Sequence, residues 1–159
     1  MKPLPMEERL SNQWSLNTEE SIRAKIFENY EEGDNLIRIL DSEKLVVCSY
    51  ALGSILAGKL RAAQLRRFYE SLLKIKAIVG RIKKSNGDDS SFRSAIIPHI
   101  LMLKPQLAYA KGKQRREITP LFEVINPLLD LVSDAADFER LCNFVQAVVA
   151  YHKYCGGRD

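Results

Sequence analysis

Residues 45–58 form a run of 14 positions without a charged side chain, bounded by Lys44 and Lys59. Wound as a helix, the run carries Leu45, Val46, Tyr50, Leu52, Ile55 and Leu56 around most of its circumference. No face is left for water, so such a helix belongs in the middle of a bundle. A bilayer span needs about 20 residues, so the run is too short to cross a membrane. Ser42 is the expected N-cap and Gly58 the expected C-cap.

A central helix needs others around it, and the chain supplies their periods. Leu65, Phe68, Leu72, Ile75, Val79 and Ile82 step by three and four residues, which predicts a long helix over residues 61–84. Thr18 followed by Glu19 and Glu20 marks an earlier start, with acids against the positive end of the dipole. Ile22, Ile26 and Tyr30 continue it toward Gly33. A fourth helix is expected from Phe92, interrupted at Pro98 and Pro105 and ended by Gly112. A fifth covers 120–132, interrupted by Pro127, and a last one covers 136–154 before Gly156 and Gly157. No β-alternation, internal repeat or low-complexity tract is present. The expected fold is all-α, a compact bundle of five to six helices. Residues 1–16, with Pro3 and Pro5 and no sustained period, are expected to be a flexible arm, and 17–159 a single helical domain.

At 159 residues and 46% hydrophobic, the chain is long enough to bury a core, and 28% charged residues argue against bulk disorder. Cys48, Cys142 and Cys155 are odd in number and show no CxxC spacing. A disulfide framework is not expected, and a reducing, cytoplasmic setting fits better. The N-terminal residues contain no apolar stretch of signal-peptide type.

The charge is segregated along the chain. Residues 59–84 hold nine bases against Glu70 alone, and residues 104–116 add five bases and no acid. Residues 117–139 then hold six acids and no base. On the long helix Arg67, Lys74 and Arg81 are seven apart and form one stripe, with about 10 Å between successive members. Such cations neutralise phosphates and release counterions, which gives affinity without sequence preference. A solvated basic face is the bland alternative, but a mixed surface would intersperse both signs.

Chemistry is scarce. His152 and Cys155 stand three apart, but with His99, Cys48 and Cys142 they form no second pair of ligand spacing. No GxSxG, Cys–His signature or phosphate loop occurs. Asp34, Asp41 and Glu43 match no two-metal pattern. Phe68 and Tyr69 lie beside Arg66 and Arg67, where aromatics can stack on bases, yet Phe68 is in phase with the core.

Three segments, GKLRAAQLRRFYESLLKIK (58–76), LMLKPQLAYAKGK (101–113) and FERLCNFVQAVVAYHKYCGG (138–157), together resemble the small-subunit family of type III-A (Csm-type) CRISPR effector complexes. The resemblance implies a non-catalytic helical subunit, without cofactor, present in several copies that stack into a filament. It implies single-stranded target RNA and guide RNA, other effector subunits and copies of itself as partners. Carried over by position, Lys59, Arg61, Arg66, Arg67 and Lys74 are the first RNA-binding candidates. Lys104, Lys111 and Lys113 come next, and Arg81 extends the stripe. Tyr151 and His152 are expected to be structural. The resemblance implies a Ser or Thr just ahead of the QLR stretch (64–66), where Ala62 and Ala63 stand here, so the start of that helix is expected nearer Gly58. Segregated acidic and basic regions would suit head-to-tail stacking of copies. Two other readings remain open: a helical protein-interaction adaptor without an RNA role, and a helix-turn-helix DNA binder.

Overall fold

A computed structural model describes residues 2–85 and 87–159, and every regular element among them is helical. The all-α class is thus as expected. Five long helices form the frame: α4 (Ser42–Ala57), α5 (Ala62–Lys84), α8 (Leu103–Lys113), α9 (Arg115–Leu129) and α10 (Ala135–Tyr154). Five short ones join or brace them: α1 (Met6–Gln13), α2 (Glu19–Ile26), α3 (Leu36–Ile39), α6 (Asp89–Ala95) and α7 (Ile97–Leu101). The expected count of five to six captured the long frame and missed short pieces that lack a readable period.

The uncharged run becomes α4, buried at Val47, Cys48, Ala51, Leu52, Gly53 and Leu56. Its most extensive neighbour is α10, which it approaches closely at Gly53. A Cβ there would lie 2.8 Å from Tyr151 Cβ and 2.9 Å from the His152 backbone nitrogen. Asp41, not Ser42, caps α4, because its carboxylate accepts from Lys44 N at 2.8 Å. Gly58 is the C-cap as expected, in right-handed geometry.

The N-terminal residues are not a loose arm throughout. Met6–Gln13 are helical and lie against α4, and Trp14 packs on the core with Lys25 Nζ 4.2 Å from its ring centroid. Helix α2 stops at Ile26, well before Gly33, since Phe27 leaves the helical conformation. The expected fourth helix is divided at Ile96 and Met102 into α6, α7 and α8, with Pro98 in the first turn of α7. Gly112 does not end that stretch but lies within the last turn of α8. Helix α9 begins five residues before Pro120 and contains both Pro120 and Pro127. Thr119 Oγ1 bonds back to the Arg115 carbonyl beside the first of these interruptions.

At the start of α10, Asp137 is fully buried and saturated. It accepts from Ile37 N at 2.9 Å, Ser133 N at 3.0 Å and Ser133 Oγ at 2.9 Å. Arg140 Nη1 donates to the Leu40 carbonyl at 2.5 Å. Together they tie α3 to α10, 100 residues apart in sequence.

Candidate nucleic-acid interface

The long helix begins at Ala62, with Arg61 as N-cap, and not nearer Gly58. Arg61 has no acceptor to offer the first turn; only Gln64 Oε1 reaches back, accepting from Arg61 N at 3.2 Å. One orphan donor is satisfied from far away in sequence: Ala62 N donates to the Arg158 carbonyl at 2.7 Å. That bond seats the C-terminal tail on the start of α5. Gly156, at φ 90°, turns the tail, and Gly157 N donates to the His152 carbonyl at 2.8 Å. Gly157 lies so close to the His152 ring that any Cβ would collide with it. His152 in turn is buried, with Nε2 2.6 Å from the Leu60 carbonyl oxygen. A carbonyl only accepts, so Nε2 carries the proton. His152 thus anchors the α4–α5 turn, a structural role as expected.

These contacts shape a cleft of about 820 Å³ between the α4–α5 turn, the start of α5, the α8–α9 junction and the tail. Lys59, Arg61, Arg67, Lys113 and Arg158 line it, with Glu117 as the single carboxylate. All six are exposed. Ala63, in the first turn of α5, also lines the cleft, so the positive end of that helix dipole adds to the field. A shallower depression continues past Gly58 and Lys59 to Arg115 and Arg116. Cations from two distant segments therefore meet at one end of the molecule.

The remaining candidates divide. Lys74 and Arg81 are exposed on the outward side of α5 in line with Arg67, outside the cleft, and none of the three is ion-paired among the described residues. Arg66 is exposed and loosely paired with Asp159 at 3.6 Å. Lys104 and Lys111 are half-buried and paired within the chain. Lys104 Nζ donates to Asp130 at 2.8 Å and to the Asn126 carbonyl at 3.3 Å. Lys111 Nζ donates to Glu123 at 3.1 Å and lies 4.5 Å from the Phe122 ring centroid. Their charges are neutralised within the chain, in contrast to Lys113. Phe68 is buried, and Tyr69 is half-buried against the core.

The acids of 117–139 do not make a free acidic face. Glu123 takes Lys111 and, at 2.7 Å, Arg23; Lys111 first and Arg23 next hold its carboxyl below the usual range. Asp130 holds Lys104, Asp134 caps α10 and Asp137 is buried. Only Glu117 and Glu139 are both exposed and outside an ion pair among the described residues. Exposed acids are instead plentiful near the N-terminus, at Glu20, Glu31, Glu32 and Glu43.

No group of three His, Cys, Asp or Glu among the described residues is placed to hold a metal. Burial pushes the Cys48 thiol up to about 12 and the Cys142 thiol to about 11, far from the reactive thiolate range. No described helix is long and apolar enough to cross a membrane.

Arg158 was missed as a site residue because nothing local marks it. It reaches the cleft only through the tail's fold-back on α5. Arg115 and Arg116 belong to a visible basic run, but their neighbourhood with Lys59 is a tertiary fact.

The arrangement is that of an all-α chain with a concentrated cationic cleft at one end. A family model described as Csm2 Type III-A matches residues 40–158. The chain belongs to that family, the small subunit of type III-A CRISPR effector complexes, and the other subunits of that complex are its partners. Comparison with curated proteins and with solved structures gave no match.

Proposed function

We propose that this subunit is a non-catalytic cradle for single-stranded RNA in the cytoplasmic effector complex. It holds the sugar–phosphate backbone of target RNA, and of guide RNA where the two run together, without reading bases. Copies of the chain stack so that their clefts follow one another along the strand.

The observation that carries this reading is the convergence of Lys59, Arg61, Arg67, Lys113 and Arg158 on one cleft with a single opposing carboxylate. Isolated surface cations are ordinary, whereas five gathered from three stretches of chain (59–67, 113 and 158) with a helix N-terminus concentrate a positive potential. Phosphate contacts of this type position a strand and carry no sequence information. Sequence is left to pairing between guide and target. Lys74 and Arg81 extend the track along α5, with about 10 Å between successive members of the stripe. Repetition along a filament supplies avidity that one copy lacks. For the stacking itself, the exposed acids at Glu20, Glu31, Glu32 and Glu43 replace the 117–139 segment as the complement to the basic end.

The test is fluorescence anisotropy of a labelled single-stranded RNA. Wild type is compared with Arg67→Glu/Lys113→Glu and with Lys74→Glu/Arg81→Glu, with duplex DNA as competitor. Binding that tolerates any sequence and is lost in the first variant supports the cleft. Equal binding by wild type and the first variant removes the cleft from the RNA path. Stronger binding to duplex DNA than to RNA favours the helix-turn-helix reading, and no RNA binding in any assembly favours the adaptor.

A further inference from the structure

The cationic cleft has an apolar neighbour. A notch of about 200 Å³ opens beside it between α5 and α8. Phe68, Leu107, Ala110 and Ile118 contribute its walls, and Tyr109 stands at its rim, 72% exposed. Arg67 and Lys113 line both cavities. The two cations therefore sit on the boundary between a polar cleft and an apolar slot.

Size and layout narrow the occupant. Sites for drug-sized molecules begin at about 300 Å³, so the notch suits one flat ring system and not a whole metabolite. A nucleotide has this division: a flat apolar-faced base on one side of the sugar, a phosphate on the other. Tyr109 is a ring without core contacts of its own, placed where it can cover the face of whatever enters. The rim also carries Gln64, Gln106 and Gln114. Each amide offers a donor and an acceptor, so the edge of any base finds a partner. Gln106 already donates to Ser71 Oγ at 3.1 Å, which leaves its carbonyl oxygen as the acceptor. An apolar peptide side chain would fill the slot equally well but would leave Arg67 and Lys113 without a partner, so charge complementarity favours the nucleotide.

We propose that the notch holds one nucleobase of single-stranded RNA, turned out of the strand and stacked on Tyr109, while Arg67 and Lys113 hold the phosphates beside it. The inference rests on the phosphate-cleft reading above. It adds a stacking contact that tolerates any base, since every base has a π-face.

The experiment compares two ligands of equal length and charge, oligoadenosine and an abasic ribose–phosphate strand, against the full-length chain at low salt. Wild type is expected to bind the base-bearing strand about tenfold more tightly. Tyr109→Ala should abolish most of that preference and leave abasic binding unchanged, and Tyr109→Trp should restore it. A 2-aminopurine in the strand should lose fluorescence on binding to wild type and keep it with Tyr109→Ala. Salt-sensitive binding of both strands with equal affinity overturns the nucleobase notch and spares the phosphate cleft. Failure of both strands to bind overturns both. Circular dichroism of each variant keeps a folding defect from passing as a lost contact.

Discussion

Gly53 and Asp137 carry more of the architecture than their size suggests. A methyl group at Gly53 meets Tyr151 Cβ and the His152 backbone, and backbone atoms in two packed helices cannot yield as a side-chain tip can. The gain in helix propensity from Ala, at most about 1 kcal/mol, does not offset that overlap. Gly53→Ala is expected to cost about 1–3 kcal/mol in a urea melt. Asp137→Ala leaves the Ile37 and Ser133 N–H groups without their partner at a part-buried site, and a loss of about 1–3 kcal/mol is expected. The thiols give a chemical readout of the same packing. With Cys48 pushed up to about 12 and Cys142 to about 11, neither is expected to react with a maleimide in the folded protein near neutral pH. Only Cys155, half-exposed, should label slowly; all three should label once the chain is unfolded. Rapid labelling of two or more thiols in the native protein would mean that the α4–α10 packing is looser than described.

At the scale of elements, two devices separate stability from function. Helix α5 starts on Arg61, whose backbone is extended at φ −75° and ψ 147°, as an N-cap requires, but whose side chain cannot accept. Arg61→Ser supplies the missing acceptor, so it should raise stability by up to about 1 kcal/mol. The same change removes a cleft cation and should weaken RNA binding. A variant more stable and also tighter for RNA would argue that Arg61 lies off the RNA path. The second device is Glu123, which joins α9 to Lys111 of α8 and Arg23 of α2. Its folded pKa lies below the unfolded value of 4.5, so its contribution is present above about pH 4.5 and is lost as pH falls through the folded value. Glu123→Gln is therefore expected to lower Tm at neutral pH and to flatten the acid limb of the stability curve. The helices themselves were legible wherever a three–four period was long, as from Leu65 to Val79. They were not legible where local capping overrode the obvious residue, as with Asp41 over Ser42, or where α9 ran through two prolines. The helix at Met6–Gln13 has too few apolar positions to announce itself and is held by its packing on α4.

For the molecule as a whole, the distribution of charge was readable as segments but not as surfaces. The basic runs at 59–84 and 104–116 do meet, and Lys59, Arg61, Arg67 and Lys113 share one cleft. Lys104 and Lys111 belong to the same runs yet pair with Asp130 and Glu123, because positions seven apart share one face of α8 while Lys113, two residues past Lys111, points to about the opposite side. Of the six acids of 117–139, Glu123 and Asp130 pair with those lysines, Asp134 caps α10 and Asp137 is buried, which leaves only Glu117 and Glu139 exposed and outside an ion pair among the described residues. Arg158 entered the site only through a backbone bond to Ala62. What remains on the outside is a cationic end and a more acidic N-terminal region, a polarity that suits both a strand of RNA and a stack of copies.

The measurement that bears most directly on the cradle is the salt dependence of single-stranded RNA affinity, for wild type and for Arg67→Ala/Lys113→Ala. Each phosphate contact on a single strand contributes a slope of about −0.7 in log K against log salt. Removing two contacts is expected to reduce the magnitude of the slope by about 1.4 and to weaken binding alike for every sequence tested. An unchanged slope in the double variant, or an affinity indifferent to salt, would contradict a phosphate cradle in this cleft.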